Sequence, residues 1–426
     1  MACTTDAQYN ASAVSALSKV DLLYEHGIIG WPNFTHCLPH CGLCQAFLSE
    51  GPYITYNLVV IGFLLPVIGV FGLFGNAMSA FLYSRPVLRS STNLYLCALG
   101  CSDCAVIVTA LFLFFVDSVR RYSVTLTTMF GQLSPFLYPA GMAAQTCSVY
   151  FTMAAAIDCF AQVCLPQTVK QWISQPKLIM STICFVIIFG IVYNIPHCFE
   201  AIVVECWHRK FLTETLEVCP DPFRFTPTYL VIYYKYMYTI FLAVGPLILL
   251  IILNSFIIIA TILLKRRNAG GGADSGDTIT LVLVVLLFIF CNVAALLLNI
   301  FESKLGEILG PDINYVVDGS NLMVVLNSSA NFGIYYAFSG AFRDAFKHYA
   351  CRARGSSEKL KTMRQVGGNT TLPVAAEGIA LKTTHMTLAN GHRRPLPSTS
   401  ARRDQRVSLP VEHLALLIVD EPEVLI

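Results

Sequence analysis

The sequence predicts an all-α fold: a bundle of seven membrane-spanning helices, then a short amphipathic helix on the cytoplasmic surface and a disordered tail. Three observations carry this prediction. Hydrophobic residues make up 55% of the chain and charged residues only 13%, with a mean hydropathy of +0.62, far from the composition of soluble domains. Seven apolar segments long enough to cross a bilayer run from Tyr53 to Tyr83, Asn93 to Val116, Gln132 to Val163, Lys177 to Phe199, Tyr229 to Leu264, Thr278 to Phe301 and Tyr315 to Phe338. The segments are continuous runs more than twice the roughly ten residues of a barrel strand, and they lack its alternation, so they read as helices.

The seven spans divide the chain into an outer tail (1–52), the spanning domain (53–339), a membrane-surface helix (340–352) and a cytoplasmic tail (353–426). Lysines and arginines near the spans set the orientation. Arg85, Arg89, Lys170, Lys177, Lys265, Arg266, Arg267, Arg343, Lys347, Arg352 and Arg354 fall on one side. They outweigh Arg120, Arg121, Arg209, Lys210, Arg224, Lys235 and Lys304 on the other, which puts the C-terminus inside. Glycosylation sequons at Asn10 and Asn33 agree with an extracellular N-terminal tail and a multi-pass protein of the plasma membrane. No cleavable signal peptide is expected, so the first span serves as the insertion signal.

In the tail, Ala13 to Tyr24 reads as a short amphipathic helix before a stretch rich in Cys, Pro and Gly. Of the sixteen cysteines, Cys37, Cys41 and Cys44 in this tail and Cys206 and Cys219 in the loop before the fifth span lie outside the membrane. An oxidising exterior favours disulfides there over zinc, and the spacing leaves the pairing open.

The spans carry polar groups that apolar packing does not call for. Asp103 sits well inside the second span, where an isolated charge costs about 2.5 to 3.5 kcal/mol. The seventh span carries Asn327-Ser328-Ser329 and Asn331, and the third carries Gln145 and Ser148 and ends in Asp158-Cys159-Phe160. Such groups face the bundle interior or a wet cavity and mark functional positions. Pro246 kinks the fifth span, while Asn292, Asn299 and Glu302 run up the sixth to its outer end. After Phe338, Phe342-Arg343 and Phe346-Lys347 recur at helical spacing, as in a helix lying on the membrane surface, and Cys351 beyond it is a palmitoylation candidate.

Gly75-Asn76, Leu99-x-x-x-Asp103, Pro246 and Asn331-x-x-x-Tyr335, in this order on seven helices, resemble a rhodopsin-like (class A) G-protein-coupled receptor from Tyr53 to Cys351. Tyr193-Asn194-Ile195-Pro196 with Glu200, the loop cysteines, Cys291-Asn292 and Asn327-Ser-Ser-x-Asn331-Phe-x-Ile-Tyr335 look most like invertebrate FMRFamide-type neuropeptide receptors.

The resemblance implies that Asp103, Ser148, Asn327 and Asn331 form a sodium-binding cluster, with protonation of Asp103 or plain hydrogen bonding as the alternative. No other cofactor is implied. It makes Asp158, Cys159, Pro246 and Tyr335 activation switches, although Cys159 replaces the arginine that normally engages a G protein. Ser134 replaces the cysteine that normally anchors the outer loop to the third helix, so Cys206 and Cys219 are expected to pair with each other.

Gly141 and Val325 stand where amine receptors carry an acid and opsins a lysine, which removes both ligand classes. The expected ligand is an amidated peptide, bound under a rim of Glu200, Glu302 and Asp318, with Gln145, Asn292 and Asn299 deeper. Binding would open the cytoplasmic ends of helices five and six to a heterotrimeric G protein or arrestin. Membrane lipid is the remaining partner and nucleic acid is not one.

An atypical receptor that binds peptide but signals weakly, or through arrestin, is the alternative that Cys159 supports. A transporter or channel is disfavoured by the lack of inverted repeats and charge rings. An enzyme is disfavoured by the lack of a nucleophile and base pair.

Overall fold

The computed structural model describes residues 11–44, 51–88, 90–267 and 276–350. Five helices in this range are long and apolar enough to cross a membrane: Gly51–Tyr83, Ser91–Arg120, Val124–Cys164, Pro176–Phe199 and Tyr229–Leu263. They are the first to fifth spans. The sixth is Gly276–Leu309, bent at the non-helical Phe301, and the seventh is Ile313–Phe338. The third span departs from the sequence reading by starting at Val124 rather than Gln132, and accommodates Pro135 and Pro139, while the sixth runs on past Phe301 to Leu309.

The helix ends have local causes. Ser90 caps the second span by accepting from the Asn93 N–H at 3.2 Å, and Ser123 caps the third at Leu126. Pro176 opens the fourth span, where its missing N–H costs nothing. The fifth span is wound as a wide π-helix from Tyr229 to Val244 and tightens to α-helix at Gly245. Pro246 explains the change of winding. It has no N–H to donate, and the turn before it relaxes so that the Gly245 N–H reaches Ile240 five residues back.

In the first span the packing is inverted relative to a soluble helix. Phe63, Val67, Val70 and Phe74 are exposed on the outer face, as a lipid-facing surface requires, whereas Gly69, Gly72, Gly75 and Asn76 are buried against the bundle. A Cβ on Gly75 would lie 2.6 Å from Phe332 of the seventh span, so only glycine permits this approach. The main core is built from Leu82, Leu99, Phe151, Phe332, Tyr335 and Phe342 and their neighbours. Residues 340–350 are helical, with Phe342 and Ala345 buried and Lys347 exposed, the amphipathic pattern expected of the surface helix.

Outside the spans the all-α class acquires two small antiparallel sheets. Strands β1 (Phe34–Thr35) and β2 (Leu38–Pro39) form one, and β3 (Ala201–His208) with β4 (Thr213–Pro220) the other. Alternation buries one face of the larger hairpin: Val204, Cys206, Thr215, Glu217 and Cys219 all point inward. The tail covers that face. Its helix Ala11–Glu25 packs Val20 and Leu23 on Val204 and Cys219.

The expected Cys206–Cys219 bond is corrected here. Cys41 pairs with Cys206 and Cys44 with Cys219, at Cα separations of 5.0 and 5.4 Å. Register is the reason, because Cys206 lies opposite Thr215 and Cys219 opposite Ile202. The two loop cysteines are therefore about 13 Å apart along the hairpin, beyond the roughly 7 Å that a disulfide can bridge. Ser134 is buried, and its hydroxyl has no hydrogen-bond partner among the described residues. The outer loop is thus tied to the tail instead of to the third span.

Candidate functional site: a polar core beneath a closed outer face

Asp103 is fully buried at the centre of the bundle. Ser148 of the third span donates to its Oδ1 at 2.7 Å, and Asn331 of the seventh donates to its Oδ2 at 2.8 Å. Ser328 also hydrogen-bonds to the carboxylate. Asn327, expected in this cluster, is only half-buried and is not among the hydrogen-bond partners of Asp103 in the described residues. Ser328 takes its place because both residues lie within one turn of Asn331, on either side of the same helix face. The first span joins the cluster indirectly, since Asn76 donates to the Ser328 carbonyl at 2.7 Å.

A carboxylate, two serine hydroxyls and an asparagine form an oxygen-rich set that suits a hard cation and offers no sulfur or imidazole. The group therefore fits the implied sodium ion by its chemistry. Asn331 presents its amide nitrogen to Asp103, and the opposite flip of the same side chain would present oxygen.

Toward the outer side, Gln145 and Asn292 line one cavity between the third, fifth and sixth spans, together with Thr146, Tyr238 and Phe288. Its volume is about 40 Å³, room for a few water molecules and not for a peptide side chain.

Glu200 and Asp318 are not open rim carboxylates. Glu200 is 2% exposed, pairs with His197 Nδ1 at 2.7 Å, and accepts hydrogen bonds from the Tyr229 and Tyr234 hydroxyls. Burial pushes its pKa up, yet the hydrogen bonds from His197 and Tyr229 and the charge of Arg224 outweigh that and hold it below 4.5. Asp318 accepts from Tyr53 at 3.1 Å and from Asn57 at 2.8 Å, and Ser118 in turn donates to Asn57. It ties the outer ends of the first, second and seventh spans together. The tyrosines that occupy Glu200 were not singled out in the sequence, although the run of Tyr229, Tyr233, Tyr234, Tyr236 and Tyr238 in one apolar span was the available signal.

At the end of the bundle away from the disulfides Asp158 is buried and accepts from Ser91 at 2.7 Å and Thr92 at 2.5 Å, which holds the second and third spans together. Cys159 beside it is buried as well. Tyr335 is 1% exposed and packs edge-on against Tyr83 and tilted against Phe342, joining the first and seventh spans to the surface helix. Asn33 is exposed in the tail. Asn10, Cys351 and the side chains of Asn299 and Glu302 lie outside the described residues.

Comparison with known proteins agrees with this architecture. The family model of the 7 transmembrane receptor (rhodopsin family) matches residues 75–335. The chain is 41% identical over 352 residues to "Probable G-protein coupled receptor frpr-1" of Caenorhabditis elegans, a match that covers 78% of this chain and 90% of that one. It is 29% identical over 346 residues to the "FMRFamide receptor" of Drosophila melanogaster, covering 77% of this chain and 60% of that one. Identity is also 29% over 293 residues with "FMRFamide peptide receptor frpr-18" of Caenorhabditis elegans, over 65% of this chain and 66% of that one. These proteins are membrane-spanning receptors and not enzymes. With Asp103, Asn331 and Tyr335 disposed as described and the family model spanning the helices that carry them, the chain belongs to the rhodopsin family of seven-transmembrane receptors.

Proposed function

We propose that this chain is a cell-surface receptor for an amidated neuropeptide of the FMRFamide type, with its disulfide-bonded tail outside the cell. The observation that carries the reading is the likeness to receptors named for FMRFamide peptides over most of the chain. The polar cavity of Gln145 and Asn292 between the third, fifth and sixth spans supports it, because a ligand wedged there biases those spans apart.

The mechanism is a population shift. Peptide binds better to the form whose fifth and sixth spans are open at the cytoplasmic end, and a heterotrimeric G protein binds the same form, so each favours the other. Asp103, Ser148, Ser328 and Asn331 link the second, third and seventh spans, and any rearrangement of the bundle must reorder their hydrogen bonds. Asp103, Ser148, Ser328 and Asn331 are the groups that would hold a sodium ion, which would supply counter-charge to the carboxylate. The charge-assisted hydrogen bonds that Asp103 accepts are worth about 1.5 to 3 kcal/mol each, enough to set the balance between the two forms.

The second reading, an atypical receptor that signals weakly or through arrestin, is favoured by Cys159 at the position where the family carries arginine. A screen of amidated peptides on cells expressing the full chain, reading G-protein activation and arrestin recruitment in parallel with Cys159→Arg alongside, tests both. Activation of a G protein by the parent sustains the first reading. Arrestin recruitment alone, with G-protein activation gained only by Cys159→Arg, selects the second. No response to any amidated peptide in either channel removes the ligand assignment.

A further inference from the structure

The larger cavity on the outer face lies away from the helix-lined pocket. It opens between the tail, the outer end of the first span, the loop joining the second and third spans, and the β3–β4 hairpin, with a volume of about 280 Å³. Arg120, Arg121, His208 and Lys210 line it together with Glu217.

The charges do not cancel. Arg120 is held by Asp117 at 2.6 Å. Glu217 is consumed by the tail, since its carboxylate accepts the backbone N–H groups of Gly42, Leu43 and Cys44 at 2.7 to 3.1 Å. Arg121 donates Nε to the Ser118 carbonyl at 3.0 Å, and Lys210 donates to the Arg121 carbonyl at 3.3 Å. Neither has a carboxylate within ion-pair distance among the described residues. Arg121 therefore keeps its terminal guanidinium donors and Lys210 most of its ammonium donors for something else. The Nδ1 of His208 is buried without a hydrogen-bond partner, close to Lys210 and Arg120 and within reach of the Glu217 charge. A concave site with two cations outside any ion pair among the described residues, Asp318 acting on Arg121 only from a distance, and an unpaired buried imidazole nitrogen is arranged for an anion.

We propose that this cavity is an anion site that takes the carboxylate of an acidic residue upstream of the peptide's amidated end. The proposal rests on the peptide-receptor reading for its occupant. The helix-lined pocket receives the C-terminal end, and the cavity under the hairpin receives the acidic residue. Arg121 offers a paired, bidentate contact to a carboxylate, and Lys210 adds a second donor from the hairpin turn. The disulfides Cys41–Cys206 and Cys44–Cys219 and the Glu217 contacts fix the walls that carry these groups.

The test uses the full chain in cell membranes and pairs of amidated peptides that share their C-terminal residues and differ only by Asp against Asn upstream. On the parent the acidic member is expected to be about tenfold more potent, as one desolvated charge-assisted contact implies. The double variant Arg121→Gln, Lys210→Gln is expected to lose that advantage while the neutral member keeps its potency. An advantage that persists in the variant, or an equal fall for both peptides, overturns the proposal.

A second arm is independent of activation. The purified full chain is heated with acetyl-triaspartate amide or with inorganic sulfate as probe. Stabilisation of the parent by the acidic peptide, absent in the double variant, sustains the site even if no peptide activates the receptor, and that outcome faults only the ligand reading. Equal stabilisation by sulfate makes it a site for free inorganic anions and overturns the peptide assignment. No stabilisation by either probe overturns the anion site.

Discussion

Removing the two disulfides one at a time and together reads out how the tail is held. Cys41–Cys206 and Cys44–Cys219 close loops of 165 and 175 residues. The chain-entropy relation assigns about 5 kcal/mol to the first of them to form. Once one is in place, the other closes a loop of only about 16 residues, which lowers its contribution to about 3 kcal/mol. These are upper values, because the spans between the cysteines are anchored in the membrane and the opened chain is less free than a coil.

Losing either bond alone, as in Cys44→Ser with Cys219→Ser, therefore costs at most about 3 kcal/mol of tail docking and raises the opened fraction by about a hundredfold. Losing both leaves the non-covalent contacts, among them the packing of Val20 and Leu23 on the hairpin, the Lys19 and Cys41 hydrogen bonds to the Val203 and Trp207 carbonyls, and the Glu217 contacts. Hydrogen exchange of the backbone amides in Ala11–Glu25, measured on the purified full chain, reports the opening directly. The expected order is parent slowest, either single-bond variant faster, and the double variant fastest. Exchange unchanged in the double variant would refute the reasoning, as would non-reduced peptides joining Cys206 to Cys219.

Three further perturbations address the core, the span contacts and the outer carboxylate. Asp103→Asn keeps the shape but removes the charge that Ser148 and Asn331 solvate, so agonist affinity should lose its sodium dependence; a radioligand titration that keeps the parent's dependence contradicts the assignment. Gly75→Ala drives a Cβ to within 2.6 Å of Phe332, and overpacking of this kind costs about 1 to 3 kcal/mol, visible as a lower thermal midpoint; an unchanged midpoint would mean that the first and seventh spans are not in close contact. Glu200 has its pKa held below 4.5 in the folded protein, so its contribution is complete above that value and is lost as pH falls through the folded pKa. Below pH 4.5 the parent's thermal midpoint should fall more steeply than that of Glu200→Gln, and parallel curves would show that the carboxylate is not ionised in its tyrosine cluster.

Much of the candidate site was legible in the residues. A carboxylate in an apolar span demands partners, and the resemblance to the receptor family put Ser148 and Asn331 among them. Their hydrogen bonds to Asp103 follow from that demand. The exchange of Asn327 for Ser328 was not legible, because two neighbours on a helix face differ only by the rotation that packing imposes. Glu200 and Asp318 read as a rim open to ligand, but neutral donors from other spans already surround them: Tyr229 and Tyr234 around Glu200, Tyr53 and Asn57 around Asp318. Sequence distance hid those contacts.

The sequence by itself determined the seven helices, their order and the amphipathic helix after them, because hydropathy over a span and helical periodicity are local properties of the chain. Tertiary structure alone decided which cysteines meet, which carboxylates are already taken and where cations converge on the outer face. Those depend on strand register and on residues more than a hundred positions apart coming within hydrogen-bond reach, as Gly42 and Glu217 do. No local pattern encodes such distances.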